Sequence, residues 1–407
     1  MHIDIDSFFV SAELILRPEL KGKDIAISSH TKSNSIVSSL SYSAKFKGAK
    51  VPMKLYEVRR YCPQIIVLKP NFNLYTTLSN NIYNFLFKNY SKEIEINSID
   101  EWFLDVSNLV QKQYQGNPYL LAQEIQNKIK KEFKLEVSIG ISYNKFLAKM
   151  ATDLNKPFGI TITTKNNLDQ NLKSLDIASY VGIGKKTEQI LREHGIQTIN
   201  DLANVDPTKP WIRKLFKNKL EVYLNNAKGI TVDDKINVKK NDLISIGNIT
   251  TFENGPTNDS LQIYDQIQQL SLTVKRRLEQ RLKYACSISI MIKYSKEKTS
   301  TTSIKVIEPL KTEQDIYYQA IKLFKKIWDD QEIIAIGVYV SNLISVYDSY
   351  INSTIFDYHP SKESKPNIVR QIINDVNSKI GKKITYSLDE YCRDKSITKN
   401  HSKYIDK

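Results

Sequence analysis

Two short segments place carboxylate side chains where they could bind a hard cation. Asp4 lies in HIDIDSFF (2–9), and Asp100 and Glu101 lie in NSIDEWFLDVS (97–107), in each case at the end of an apolar, strand-like run. Mg²⁺ in proteins prefers a few carboxylates together with water and substrate phosphates. Two such ions about 4 Å apart can hold the attacking and leaving oxygens of an in-line phosphoryl transfer. The alternative for an isolated Asp-Glu pair is a turn or a salt bridge.

Four further stretches lie between and after these two segments. They are SSLSYSAKFKGAK (38–50), SIGISYNKFLAKMATDLNKPFGI (138–160), VGIGKKTEQILREHGI (181–196) and SIGNITTFEN (245–254). Together the six segments resemble the motifs of the Y-family DNA polymerases, the translesion enzymes, in that family's order and spacing. The likeness is strongest to the bacterial DinB-like branch. One motif is weak evidence, but six in order make coincidence negligible.

The resemblance assigns roles to side chains in the first half of the chain. The metal ligands would be Asp4, Asp100, Glu101 and the main-chain carbonyl of Ile5, which would hold two Mg²⁺ ions in each active site. Phe9 would be the steric gate, a ring packed against the sugar that leaves no room for a 2′-OH. The other side chains at the incoming nucleotide would be Phe8, Ser39, Tyr42, Lys45 and Lys156.

Some positions depart from the family pattern. Lys45 stands where Arg is common, and Lys presents a point charge instead of a bidentate fork, so looser phosphate binding is expected. Trp102 stands where a small residue is usual, and Pro52 lies near the wall over the base pair. Asp6 is acidic as well, but its position predicts that it caps the next helix or orients its neighbours.

A second set of residues is suited to binding DNA. Gly182 and Gly184 flank an apolar residue, as in a helix-hairpin-helix turn whose backbone amides approach a phosphate, and Lys185 and Lys186 add charge. By itself a Gly-x-Gly pattern more often marks an ordinary turn. The net charge of +15 and the pI of about 9.3 favour a polyanionic partner, although Lys-rich usage imposed by an A/T-rich genome would also raise the charge.

The elements that must position these residues alternate between strands and helices. We predict a strand at 2–6, helices at 9–20 and 74–90, a hairpin at 93–107, a helix at 117–133, a strand at 136–143, a helix at 145–156 and a strand at 159–163. Apart from an insertion of the helix at 9–20 and short strands at 24–28 and 35–39, this is the ferredoxin-like or split βαβ order. The hairpin must turn near Asp100, because neighbouring residues of a regular strand point to opposite faces.

The chain is too long for one ordinary core, so several domains are expected. The predicted fold class is α+β and multidomain. Its parts would be a ferredoxin-like palm at 1–6 and 71–163, inserted fingers at 7–70, a helical thumb with the helix-hairpin-helix at 164–230, a linker at 231–242, an α/β little finger at 243–345 and a C-terminal tail at 346–407. In the tail, Ile355 and Phe356 loosely resemble the peptide that docks polymerases on the sliding clamp, although such a short apolar pair also arises by chance.

Cysteine usage and hydropathy limit the location. Cys62, Cys286 and Cys392 are isolated, which argues against a disulfide framework and fits a reducing compartment. The five histidines form no zinc-binding pattern. No apolar stretch approaches the roughly 18 residues of a membrane span, and no signal peptide precedes HIDIDSFF. A cytoplasmic location without membrane association is therefore expected.

The resemblance to the Y-family polymerases implies a template-directed DNA polymerase of low fidelity that acts in translesion synthesis by two-metal-ion nucleotidyl transfer. Its partners would be primer-template DNA, dNTPs and a sliding clamp, and it would act as a monomer. The sequence shows no second acidic cluster for a 3′→5′ exonuclease, so proofreading is not expected. Two alternatives remain. One is a nucleotidyl cyclase on the same palm, which would not need the DNA-gripping segments. The other is a catalytically inactive DNA-bound adaptor, which would not need the intact acidic set.

Overall fold

The chain forms two compact units, Met1–Asp242 and Leu243–Lys407, in a computed structural model. The structure describes residues 1–230, 235–238, 243–252, 255–295 and 297–346. Most of the predicted linker and all but the first residue of the predicted tail, including Ile355 and Phe356, lie outside the described residues. Within these ranges, no helix combines the length and the apolar character that a membrane span requires.

The first unit alternates short strands with helices. Its strands are β1 (His2–Ile5), β2 (Ile25–Ile27), β3 (Ser39–Leu40), β4 (Ile66–Leu68), β5 (Ile94–Ile96), β6 (Glu101–Leu104), β7 (Val137–Ile141) and β8 (Ile160–Ile162). Its α-helices are α1 (Phe8–Leu16), α2 (Tyr42–Phe46), α3 (Leu55–Tyr61), α4 (Phe72–Asn89), α5 (Ser107–Gln113), α6 (Pro118–Phe133), α7 (Lys145–Leu154), α8 (Lys185–Glu193), α9 (Ile199–Ala203), α10 (Pro210–Phe216) and α11 (Leu220–Ala227). Single helical turns occur at Pro18–Leu20, Lys165–Asn167, Asp169–Lys173, Ile177–Ser179 and Lys217–Lys219.

The five-stranded sheet of this unit has the order β5-β6-β1-β7-β8. β1 is central and pairs antiparallel with β6 and β7, while β8 lies parallel to β7 at the edge. With α4 ahead of the β5–β6 hairpin and α6 ahead of β7, the element order is the split βαβ order that the sequence predicts. α7 and β8 extend it by one helix and one strand, also as predicted.

The central strand β1 separates the two faces of this sheet, because its side chains alternate. Ile3 and Ile5 enter the hydrophobic core that contains the buried residues of α4 and α6. His2 and Asp4 therefore point to the other face. Both are buried although both are polar, so each needs partners on that face.

The helix α7 covers the polar face of β1. Its first turn is capped by Asn144, whose side chain accepts from the N–H of Leu147 at 2.7 Å. α7 can lie close to β7 because Gly140 has no side chain, since a Cβ there would come within 2.0 Å of the carbonyl oxygen of Ala148. This close packing brings Thr152 to 2.8 Å from the ring of His2.

A three-stranded sheet of order β3-β2-β4 lies in the segment inserted after β1. Two predictions there had the wrong bounds. The helix predicted at 9–20 ends at Leu16, because Pro18 cannot continue it. The strand predicted at 35–39 is a strand only at Ser39–Leu40, because the chain ahead of it pairs first with 53–54 and reaches β2 only at Ser38.

The helices from α8 to α11 share a second core, which includes Ile177, Leu191 and Ile199 and also takes in Leu147 and Met150 of α7. They are short, and one of them begins with a capping box, in which Thr198 and Asp201 satisfy each other's backbone N–H groups. Short helices with glycine-containing turns are what the sequence predicts for 164–230.

The second unit is a four-stranded antiparallel sheet with two helices. Its elements are β9 (Ser245–Thr251), α12 (Ser260–Glu279), β10 (Lys283–Lys293), β11 (Thr299–Leu310), α13 (Glu313–Ile327) and β12 (Ala335–Ser345). The strand order is β11-β10-β12-β9, and both helices share one hydrophobic core with the sheet. Helices and strands both occur here, which agrees with the α/β content that the sequence predicts for 243–345.

Candidate active site

The predicted acidic residues meet at one end of the central strands. Asp4 of β1 lies directly opposite Glu101 of β6 in the antiparallel register. The N–H of Ile5 donates to the carbonyl of Asp100 at 3.0 Å. Asp100 belongs to the turn before β6, so the alternation of a strand does not force it to the face opposite Glu101. The predicted turn at Asp100 is confirmed.

A cavity of about 590 Å³ opens beside these strand ends. The predicted site residues that line it are Asp4, Ile5, Phe8, Phe9, Ser39, Tyr42, Lys45, Asp100 and Lys156. Ser7, Lys50 and Val51 also contribute to its wall. Glu101 does not line this cavity but lies next to Asp4 through the strand pairing.

Burial and mutual repulsion shape the charges of these carboxylates. Burial raises the pKa of Asp4 to about 7, against the opposing charge of Lys156. Burial also raises the pKa of Asp100, and the charge of Glu101 adds to the effect. Burial would raise the pKa of Glu101 too, but the ring of His2, at 3.6 Å, and the ammonium group of Lys149 outweigh it and lower that pKa.

Two lysines provide positive charge to the acidic residues. Lys156 lies 2.8 Å from Asp4, and Lys149 of α7 forms an ion pair with Glu101. In the described part of the chain, no three Asp, Glu, His or Cys side chains form a ready metal-binding group. The donor chemistry nevertheless fits a hard divalent cation, since it consists of carboxylates and a main-chain carbonyl beside a cavity. A cation bound there would neutralise the carboxylate charges that Lys156 and Lys149 balance in this structure.

Asp6 connects three segments around the cavity. Its carboxylate accepts from the hydroxyl of Tyr42 at 2.9 Å, the hydroxyl of Ser138 at 2.9 Å and the N–H of Phe158 at 2.7 Å. The expectation that Asp6 caps the next helix is wrong, because the N-cap of α1 is Ser7. The expectation that it orients neighbours is correct, since it fixes Tyr42 at the cavity wall.

Two lysines, Lys45 and Lys156, also line the cavity. The Nζ atom of Lys45 lies 4.4 Å from the ring centre of Tyr42 and donates to the hydroxyl of Ser7 at 2.8 Å. Burial lowers the pKa of Lys45, and the charge of Lys156 lowers it further. Two mutually repelling cations that line one cavity are a suitable environment for an anion such as a phosphate.

Sequence reasoning missed part of this site. It did not assign Lys149, His2 or Tyr75, whose ring stacks on Phe9 with centres 4.4 Å apart. Lys149 lies within the segment 138–160 that the motif already covers, and a lysine on a helix beside buried acids was the available signal. Trp102 is buried on the core face of β6, opposite Ile3, so its bulk lies behind the carboxylates and not in the cavity.

The predicted helix-hairpin-helix turn precedes α8. Gly182 has a φ of +101°, which favours glycine, and its carbonyl accepts from the hydroxyl of Tyr223 at 3.1 Å. Gly184 is the N-cap of α8, and Lys185 and Lys186 begin that helix with exposed side chains. Backbone N–H groups and two exposed lysines thus share one helix start.

Profiles of one protein family match both units of the chain. The profile of the impB/mucB/samB family matches residues 3–153, and the profile of its C-terminal domain matches residues 244–352. The chain is 34% identical to DNA polymerase IV 1 of Halalkalibacterium halodurans over 387 residues, which covers 94% of this chain and 91% of that relative. It is 32% identical to DNA polymerase IV 1 of Bacillus subtilis over 402 residues, covering 98% of this chain and 95% of that relative.

Solved structures give the same result. A Y-family DNA polymerase chimera of Dbh and Dpo4 superposes with a TM-score of 0.75 at 26% identity, over 84% of this chain and 98% of the chimera. An insertion ternary complex of Dbh DNA polymerase superposes with a TM-score of 0.60, also at 26% identity and over the same shares of the two chains.

Proposed function

Because this chain belongs to the impB/mucB/samB family and is a Y-family DNA-directed DNA polymerase, we propose that it adds dNTPs to a primer by nucleotidyl transfer in the cavity beside Asp4 and acts in translesion synthesis. The observation that carries the proposal is the presence of both charges in one cavity. Asp4 and Asp100 line it together with Lys45 and Lys156, and Lys156 lies 2.8 Å from Asp4. A triphosphate bound there would meet cations with its phosphates and would bring its reacting phosphorus near the acids.

The side chains of the cavity have separate tasks in this proposal. Tyr42, held by Asp6, and Lys45, held by Ser7, bind the phosphates. Lys156 exchanges its contact with Asp4 for a contact with the leaving phosphates. Phe9, at the cavity wall, lies against the sugar and excludes a 2′-OH.

The metal ligands proposed are Asp4, Asp100, Glu101 and the carbonyl of Ile5. Two Mg²⁺ ions bound there would make the primer 3′-OH a better nucleophile and neutralise the departing pyrophosphate. The protein contributes fixed acid positions, since Asp4 and Glu101 are locked opposite each other by the sheet. Lys149 balances the charge of Glu101 while no ion does so.

The domain roles are proposed on the same basis. The five-stranded sheet with its helices would be the palm, the three-stranded sheet the fingers, α8 to α11 the thumb and the second unit the little finger. The turn with Gly182, Gly184, Lys185 and Lys186 would bind DNA phosphates independently of sequence, so DNA binding should weaken steeply with salt. We expect a monomer without proofreading activity.

Primer extension with Mg²⁺ and dNTPs on a primed template is the deciding experiment. Template-directed addition of dNTPs is expected. Formation of a cyclic nucleotide from a free triphosphate would instead identify a cyclase. Tight DNA binding without extension would identify an inactive adaptor. A template with a lesion at the first copied base then tests the translesion role.

A further inference from the structure

The ring proposed to face the sugar is held from behind by a second ring. Phe9 and Tyr75 stack with their centres 4.4 Å apart and their planes 11° apart. Tyr75 lies in α4 and is fully buried, whereas Phe9 lies in α1 and reaches the cavity. Phe72 meets both rings edge-on, at 6.0 Å from Phe9 and 5.8 Å from Tyr75. The position of Phe9 in the cavity therefore depends on the position of Tyr75.

Tyr75 is in turn held by a buried acid. Its hydroxyl donates to Oε1 of Glu13 at 2.8 Å, and burial raises the pKa of Tyr75, so the proton stays on the phenol. Glu13 is only 1% exposed, and its second oxygen forms an ion pair with Arg17 at the end of the same helix. A buried carboxylate without partners would be costly, so the contacts of Glu13 with Tyr75 and Arg17 stabilise this arrangement.

These contacts join Phe9, Glu13 and Tyr75 in a closed cycle. Glu13 follows Phe9 by one helical turn in α1, so the two side chains lie on the same face of the helix. Backbone joins Phe9 to Glu13, a hydrogen bond joins Glu13 to Tyr75, and stacking joins Tyr75 back to Phe9. Loss of any one link frees the ring of Phe9 to move with respect to the cavity.

We propose that Glu13 is a positioning residue for sugar selection, which acts through Tyr75 to fix the depth at which Phe9 enters the nucleotide cavity. This inference rests on the proposed function, since it takes Phe9 as the wall beside the sugar. The ring of Phe9 can exclude a single hydroxyl only if it cannot move away from the sugar. The contacts behind the ring therefore matter, because packed interiors transmit small shifts. A purely structural role for Glu13 and Tyr75 predicts a loss of stability with no change in sugar selection.

The test compares kcat/KM for dNTPs and for ribonucleotides in variants of the full chain. Tyr75→Phe keeps the ring and removes the hydrogen bond. Glu13→Gln keeps an oxygen that accepts from Tyr75. The double variant Glu13→Leu, Tyr75→Phe removes both partners and leaves no buried unpaired carboxylate, so it serves if Tyr75→Phe alone fails to fold. Tyr90→Phe is the matched control, because Tyr90 donates to Glu124 at 3.2 Å between α4 and α6, away from Phe9.

We expect the preference for dNTPs to fall by about tenfold or more in Tyr75→Phe and in the double variant, while kcat/KM for dNTPs changes by less than about threefold. Glu13→Gln and Tyr90→Phe should keep the wild-type preference. An unchanged preference in both Tyr75→Phe and the double variant overturns the inference. Phe9→Ala, measured in parallel, separates the role of Phe9 from the positioning role of Glu13 and Tyr75. If Phe9→Ala alone abolishes the preference for dNTPs, Phe9 selects the sugar without help from Glu13 and Tyr75. If Phe9→Ala also has no effect, the proposed gate is wrong as well.

Discussion

The ammonium group of Lys156 lies 2.8 Å from the carboxylate of Asp4, although the two residues are 152 positions apart in the chain. Lys156 also contacts Asp153 at 2.8 Å, so it is shared between an acid of the cavity and an acid at the end of α7. In the free protein the proposed phosphate-binding cation thus neutralises a proposed metal ligand. Under the proposed function, nucleotide and metal would each take one partner of this ion pair, and until they bind the pair would keep the buried acid neutralised.

The acidic residues Asp4, Asp100 and Glu101 should be required for nucleotidyl transfer and not for binding DNA. Asp100→Asn and Glu101→Gln should each lower primer extension by more than about 100-fold, because even residues that only support a metal ligand cost 10- to 100-fold. Primer-template affinity, measured by fluorescence anisotropy, should stay within about threefold, since phosphate contacts elsewhere provide it. Asp105→Asn is the control, because Asp105 follows β6 and accepts from the N–H of Ser107 at 2.9 Å. Extension within about tenfold of wild type in both acidic variants would refute the metal-site assignment.

Lys45 should determine nucleotide affinity. Lys45→Ala removes a charge-assisted contact to phosphate, so the KM for dNTPs should rise by about tenfold or more. Lys45→Arg should keep a low KM, because the guanidinium can form a bidentate contact. Lys47→Ala is the matched control, since Lys47 lies two residues away and pairs with Asp24 at the surface. A KM for Lys45→Ala equal to that of Lys47→Ala would exclude a phosphate-binding role.

Gly140 should be essential for the packing of α7. In Gly140→Ala the new methyl group meets a backbone oxygen of α7, so the helix must shift, and the free energy of unfolding should fall by about 1–3 kcal/mol or more. Gly184→Ala is the control for added bulk, because no atom lies within 4 Å of the added carbon, and its unfolding free energy should fall only by about 0.5–1 kcal/mol, the cost of alanine at an N-cap. Denaturant titration measures both. Equal stability of the two variants would mean that α7 does not depend on close contact with β7.

The order of elements could be predicted because it depends on local patterns. Apolar spacing along α4 and α6 and the alternation in β10 and β12 are visible in short windows of sequence. One error ignored a local signal, since Pro18 ends the helix that was predicted at 9–20. The other error arose from a pairing that no short window reveals. The stretch before β3 reads as a strand, but its first pairing partner is the chain at 53–54.

The candidate site could be predicted in its residues but not in its connections. Asp4, Phe9, Tyr42 and Lys156 were assigned through motifs and do line one cavity. The contact of Lys149 with Glu101 follows from the approach of α7 to the sheet, which no local pattern reveals. The stacking of Tyr75 on Phe9 likewise requires the packing of α4 against α1.

The tail should matter for recruitment to a sliding clamp and not for catalysis. Every proposed catalytic and DNA-binding residue precedes position 346, so removal of residues 347–407 should leave distributive extension on a short primer intact. Apolar anchors on a tether can bind a preformed pocket with modest affinity, and tethering raises the local concentration of enzyme at the primer end by orders of magnitude. Ile355 and Phe356 are an aliphatic residue followed by an aromatic one near the start of this tail, shortly after the reverse pair Tyr350 and Ile351.

The double variant Ile355→Ala, Phe356→Ala should therefore reproduce the truncation in an assay of clamp-stimulated extension. Extension without clamp provides the internal control, because it should be the same in all three proteins. If stimulation survives in the double variant but is lost on truncation, another part of the tail binds the clamp. If it survives truncation, the contact lies within residues 1–346, and the likeness of Ile355 and Phe356 to a clamp-binding peptide is a coincidence. Short apolar pairs often occur by chance, so survival of clamp stimulation after truncation is a possible result and the experiment tests the motif.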